Sequence, residues 1–177
     1  MICYIQTMNI KDEILREHSK QQVTKIADYI GNDPEKFDEL MHLFFDREYR
    51  TCQRAAWVVS HCTDRYPGLA EPYIGPMLMN LKKEVHVAVV RNSLRILQIM
   101  DIPGELLGEA ADIGFKLLES KDQPVAVKVF AMTVLANICK KVPELKNELS
   151  ILIEDQMPYA SAGFRSRGSK ILKQMSC

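Results

Sequence analysis

Four segments of the chain carry one helical pattern at a nearly fixed spacing, and this constrains the fold more than any other feature. The first is Thr51, Ala55, Val58, Val59, Cys62; the second is Val89, Ser93, Ile96, Leu97, Met100. The third is Val127, Ala131, Val134, Leu135, Ile138; the fourth is Phe164, Gly168, Ile171, Leu172, Met175. Successive copies are offset by 38, 38 and 37 residues. Positions i, i+4, i+7, i+8 and i+11 fall on one face of an α-helix, so each set reads as a buried stripe. The second position is small in every copy, which suits close helix–helix approach at a crossing point. A period of this length marks a helical repeat array, in which neighbours bury what one helix pair cannot.

A second set of helices alternates with the stripes. Two helices, over residues 19–30 and 34–45, precede the first stripe, divided by Gly31-Asn32-Asp33-Pro34. Gly31 suits a helix C-terminus, Asp33 can cap the next helix, and Pro34 suits its first turn. Further helices are expected over 69–83, 105–119 and 144–156, the first with a kink or a late start at Pro76. Pro67, Pro103 and Pro143 each follow a stripe and separate it from the next helix. Acidic residues recur just before the stripe helices at Asp46, Glu84 and Asp122, where a carboxylate complements exposed N–H groups. The fourth copy has Tyr159 and Ala160 there instead.

The 177 residues are long enough for one domain with a sizeable core. Lys and Arg total 23 and so do Asp and Glu, giving no whole-chain attraction to nucleic acid or anionic membrane. No apolar run approaches the roughly 20 residues needed to cross a bilayer, so no membrane partner is expected. Met1 to Met8 lack the features of a signal peptide. Met8 is a plausible alternative initiator, and residues 1–10 read as an irregular leader. The five cysteines, Cys3, Cys52, Cys62, Cys139 and Cys177, form no Cys-x-x-Cys pair, which suits a reducing cytoplasm. Cys62 sits on the stripe as a small hydrophobe. The expected organisation is a single domain over 1–177, with repeats at 19–46, 47–83, 84–121 and 122–158 and a cap helix at 161–175.

In register, the copies resemble HEAT-type repeats, whose pattern is an acidic turn followed by Val-Arg-x-x-Ala-x-x-x-Leu. The third copy fits it with Asp122, Val127-Lys128, Ala131 and Leu135; the fourth reads Phe164-Arg165, Gly168, Leu172. The second, Val89-Val90, Ser93, Leu97, and the first, Thr51-Cys52, Ala55, Val59, lack the basic residue. The resemblance covers roughly residues 34–175. It implies an all-α, right-handed α-solenoid of stacked antiparallel helix pairs (HEAT/armadillo-like), with about 8–9 helices here. It also implies a concave surface that binds another macromolecule, usually a protein, and a ladder pairing between Asp122 and Lys128.

Catalysis needs convergent groups, and the chain offers few. His18, His42, His61 and His86 form no metal-binding helical spacing. A zinc site from His61, Cys62 and His42 is disfavoured, because adjacent helical residues point about 100° apart. Gly-x-Ser-x-Gly and phosphate-loop motifs are lacking. Gly163-Phe-Arg-Ser-Arg-Gly168 lies on the fourth stripe, where close packing explains its glycines better than phosphate binding. An adenylosuccinate lyase label would rest on Met157-Pro158 alone and is unsupported. No catalytic residue, metal or cofactor is expected.

Two places depart from the repeat. Trp57, the single tryptophan, aligns with Arg95, Thr133 and Lys170, a polar position that faces outward. With Arg50 and His61 on the same side it is a candidate binding patch, since Trp and Arg dominate interface energetics. The competing reading packs Trp57 under the N-terminal helices. The second place is the last helix, where Arg165, Arg167, Lys170 and Lys173 follow with no acid after Asp155. They could meet nucleic acid phosphates or an acidic protein, or simply keep the end of the array soluble. The favoured function is a non-enzymatic scaffold that binds a protein partner. The alternative is a nucleic-acid-binding HEAT-like protein such as an alkylpurine DNA glycosylase relative, which one tryptophan and no net positive charge disfavour.

Overall fold

The computed structural model describes residues 8–175, so the Met1–Thr7 part of the expected leader lies outside the described residues. Among them the chain is all-α, with ten α-helices and no strand. The first four are α1 (Ile10–Arg16), α2 (Lys20–Ile30), α3 (Pro34–Phe44) and α4 (Tyr49–Arg65). Then come α5 (Ile74–Leu81), α6 (Val87–Leu97), α7 (Leu107–Glu119), α8 (Val125–Lys141), α9 (Lys146–Gln156) and α10 (Ala162–Met175). The stripes lie on α4, α6, α8 and α10. Short 3₁₀ turns at Pro67–Tyr73, Gly104–Leu106, Pro143–Leu145 and Met157–Tyr159 fill the connections. The described residues fall into two compact units: one up to Pro72 together with Val85–Asn92, the other Tyr73–Glu84 together with the described residues from Ser93 onward.

The first unit starts one helix earlier than expected. Asn9 caps α1 by accepting the Asp12 N–H at 3.1 Å. Ile10 and Ile14 are buried, so the leader reading fails at residue 10. Ser19 caps α2 and Asp33 caps α3, the latter taking the Glu35 and Lys36 N–H groups. Those two N–H bonds and the Lys36 ammonium lower the Asp33 pKa. Between α2 and α3, Gly31 has φ 55° and ψ −134°. That conformation strains any residue with a Cβ. Val23, Ile26 and Ile30 of α2 and Phe37, Leu40, Met41 and Phe44 of α3 are buried. All five stripe residues of α4 are buried too.

In the second unit the α8 stripe is fully buried, and Phe164, Gly168 and Ile171 of α10 are buried with it. Leu172, Met175 and Met100 are only half-buried. A Cβ on Gly168 would lie 2.8 Å from Ile153 Cγ2, and one on Gly114 would lie 2.9 Å from Leu135 Cγ. These contacts explain why the chain is Gly at the small position of α10 and at Gly114 on α7. α5 makes the late start expected near Pro76, which falls in its first turn.

Two expectations about the turns are corrected. Asp46 does bind the turn, accepting the Glu48 N–H at 2.9 Å. α6, however, is capped by His86, whose Nδ1 accepts the Ala88 N–H at 3.0 Å, and α8 follows Pro124 at its N-cap with no side-chain cap. The Asp122–Lys128 ladder does not form. Lys128 Nζ donates to Gln156 Oε1 at 2.7 Å, and Gln156 Nε2 donates to Leu118 O at 3.2 Å. A half-buried ammonium gains more from a packed amide of α9 than from a carboxylate on an exposed turn, and burial lowers the Lys128 pKa accordingly.

Candidate interaction surfaces

On α4, Arg50, Arg54, Trp57 and His61 follow at i, i+4, i+7 and i+11, so they share one face, roughly 110° round the helix from the stripe at 100° per residue. The structure separates their roles. Arg50 is exposed. Trp57 is half-buried, with the His18 ring set edge-on to it at 5.1 Å between centroids. His61 is half-buried, and its Nε2 has no hydrogen-bond partner among the described residues. Arg54, which the sequence reading passed over, donates to Ile14 O at 3.2 Å and to Leu15 O at 2.7 Å. Those are last-turn carbonyls of α1, which a helix leaves without partners of its own. Arg65 at the far end of α4 pairs with Asp28 of α2. Much of this face therefore anchors α1 and α2. The spacing of Arg54 from Arg50 and Trp57 was the available signal for it.

The anchoring is reinforced from α1. Glu13 accepts from Lys25 Nζ at 2.7 Å and from Gln22 Nε2 at 2.7 Å, and it pairs with Arg16 at 3.0 Å. The hydrogen bonds from Lys25 and then Gln22 hold its carboxyl down to about 2.

At the start of α4, Tyr49 is 64% exposed and meets the His86 ring edge-on at 4.1 Å. Beside His86, Val87 is 44% exposed. Tyr49 and Val87 are each the first residue of a stripe helix, and so is Val125, 43% exposed, in the second unit. All three hold one place in the repeat.

On α10 the four basic residues also divide. Arg165 donates to Ala160 O, bracing the turn before the helix. Arg167 is half-buried and donates to Thr133 Oγ1 of α8 at 2.7 Å. Lys170 and Lys173 are exposed. The helix keeps a cationic outer face, but Arg167 serves the packing of α10 on α8.

Among the described residues no group of three or more His, Cys, Asp or Glu side chains could hold a metal ion. Cys62 is buried, and burial pushes its thiol up to about 12, which leaves it protonated and unreactive. No described helix is long and apolar enough to cross a membrane. A family model described as a HEAT repeat domain matches residues 10–175. No curated protein and no solved structure matches the chain.

Proposed function

The chain belongs to the HEAT repeat family, and we propose that it is a non-enzymatic scaffold that binds a protein partner. The observation that carries this reading is the repeated exposed apolar position, Tyr49, Val87 and Val125. Scattered surface hydrophobes need no explanation. An apolar side chain left in water at one register position of three successive repeats is different, because a position that faces solvent in each copy keeps a hydrophobe each time. Exposed apolar surface of this kind marks interaction sites. Arg50, next to Tyr49, supplies a second residue type favoured at interfaces.

The test is a chain carrying Tyr49→Ser, Val87→Ser and Val125→Ser, compared with wild type in quantitative affinity capture from the native cell extract. All three side chains are exposed, so thermal unfolding should change little beyond the loss of the Tyr49–His86 ring contact. A protein captured by wild type and lost from the variant supports the reading. Equal capture by both refutes the assigned positions.

A second reading rests on the cationic outer face of α10, where Arg165, Lys170 and Lys173 are exposed. Nucleic acid binding there would fall steeply with salt. Absence of binding to generic DNA or RNA at low salt would end it.

A further inference from the structure

The second unit holds a cleft where the chain departs from its own repeat. α4 and α8 each run 17 residues, but α6 runs 11. After Leu97 the backbone turns tightly, with Ile99 N–H on Ile96 O and Met100 N–H on Leu97 O. Side chains of α8 take carbonyls of this segment. Asn137 Nδ2 donates to Gln98 O at 2.8 Å, and Lys141 Nζ donates to Ile102 O at 2.9 Å. Between this segment and the C-terminal half of α8 lies a cleft of about 300 Å³. Ile99, Met100, Leu107 and Ile138 supply its apolar lining, and Lys140 and Lys141 its cationic edge.

Two features of this cleft point to a ligand. Ile99 is 56% exposed inside a concave site, where an apolar occupant would remove it from water. The charge on the edge is also uneven. Lys141 is paired with Asp101, but the contact of Lys140 Nζ is the neutral Asn137 Oδ1 at 2.8 Å. A second cleft in this unit, lined by Lys82, Asp112 and Lys116, has its lysines paired with Glu109 and Asp112. The α6–α8 cleft thus combines an apolar floor with a cation that no carboxylate among the described residues neutralises.

We propose that this cleft docks an extended peptide segment of a partner protein that presents an aliphatic side chain flanked by carboxylates. The aliphatic group covers Ile99 and Met100, and a carboxylate meets Lys140. The volume suits one such side chain rather than a large cofactor. This rests on the reading of the chain as a protein-binding scaffold and gives the partner's chemistry.

The probes are two capped peptides, Gly-Glu-Leu-Glu-Gly and Gly-Lys-Leu-Lys-Gly, titrated to millimolar concentration into the full-length chain labelled with ¹⁵N. The acidic peptide should shift the backbone amides of residues 98–102 and 137–141 saturably, and the basic peptide should not. Lys140→Glu and Ile99→Asp, both at exposed positions, should each weaken binding by about tenfold or more. The charge-matched control Lys116→Glu should bind as wild type. The variant Tyr49→Ser/Val87→Ser/Val125→Ser should bind the acidic peptide normally, so failure of those positions as partner contacts is read separately from failure of the cleft. No saturable shift with the acidic peptide, equal shifts with both peptides, or shifts elsewhere on the chain would overturn the proposal.

Discussion

Adding one methyl group at Gly168 and one at Gly108 should move stability in opposite directions. Both glycines lie in helices, and replacing Gly by Ala within a helix gains about 1 kcal/mol of propensity. At Gly108, in the first turn of α7, a Cβ would meet nothing within 4 Å. Gly108→Ala should therefore stabilise, by about 0.4–1 kcal/mol through the lost freedom of the unfolded chain. At Gly168 the same Cβ would sit 2.8 Å from Ile153 Cγ2 and 3.2 Å from Met157 Sδ. Met157 is flexible and half-buried, but Ile153 is 0% exposed and has no free direction in which to move. Overpacking of this kind costs about 1–3 kcal/mol. Set against the propensity gain, the net loss is about 0–2 kcal/mol, or up to several degrees in Tm for a chain of this length. Gly114→Ala, aimed at the fully buried Leu135, should share that sign. The assay is urea unfolding by far-UV circular dichroism, with free energies compared only where the m-values agree with wild type. If Gly168→Ala stabilised the chain as much as Gly108→Ala, the close approach of α10 to α9 would be wrong, and the fourth repeat with it.

Arg54→Ala should strip two carbonyls at the end of α1 of their donor, costing about 1–3 kcal/mol. Hydrogen exchange should quicken in α1 before α3, and uniform exchange across the first unit would contradict this role. Trp57→Ala should cost about 1–3 kcal/mol, below the full price of a buried tryptophan because the ring is half-buried against His18. A loss under about 0.5 kcal/mol, the range of ordinary surface changes, would instead return Trp57 to the binding surface. His86 must be neutral at Nδ1 to accept the Ala88 N–H, and burial lowers its pKa below the ordinary 6.5. The unfolded chain then takes up the proton first, so this contribution is present above pH 6.5 and is lost as pH falls below it. His86→Asn keeps a capping side chain and should flatten the stability profile between pH 7 and pH 5 relative to wild type; an unchanged slope would refute the assignment. Glu13 has the same sign lower down: its contribution is present above 4.5 and lost as pH falls toward about 2, and Glu13→Gln should remove that loss.

What the sequence made legible was the burial. A stripe is a property of periodicity, and a repeat states it four times, so single departures do not hide it. Thr51 and Ser93 show this best: both are polar, yet their register alone assigns them to the core, where both are 0% exposed. What stayed hidden depends on contacts between elements, which periodicity does not encode. The seven residues of α1 are too few to display a helical period, and its end is completed by Arg54 some 40 positions away. Lys128 finds Gln156 rather than the acid six positions before it, because α9 brings a half-buried amide within reach and the exposed turn does not.

The cleft lies between these cases, since part of its cause is written in the chain. Pro67 and Pro143 stand five residues after the last stripe positions Cys62 and Ile138, whereas Pro103 stands three after Met100. A proline disfavours helical backbone in the residue before it, so α6 has less room to finish its turn than α4 or α8. Met100 is consequently half-buried although its register predicts a core residue, and Ile99 is left facing solvent. The same displaced proline that spoils the stripe also frees the carbonyl of Gln98, to which Asn137 of α8 is drawn, while Lys141 reaches Ile102 O. Lys140 stands at the edge with the Asn137 amide as its partner among the described residues. A repeat fold spends most of its sequence on sameness, so an apolar floor and an unneutralised cation created by one shifted residue are where selectivity for a partner can reside without disturbing the stack.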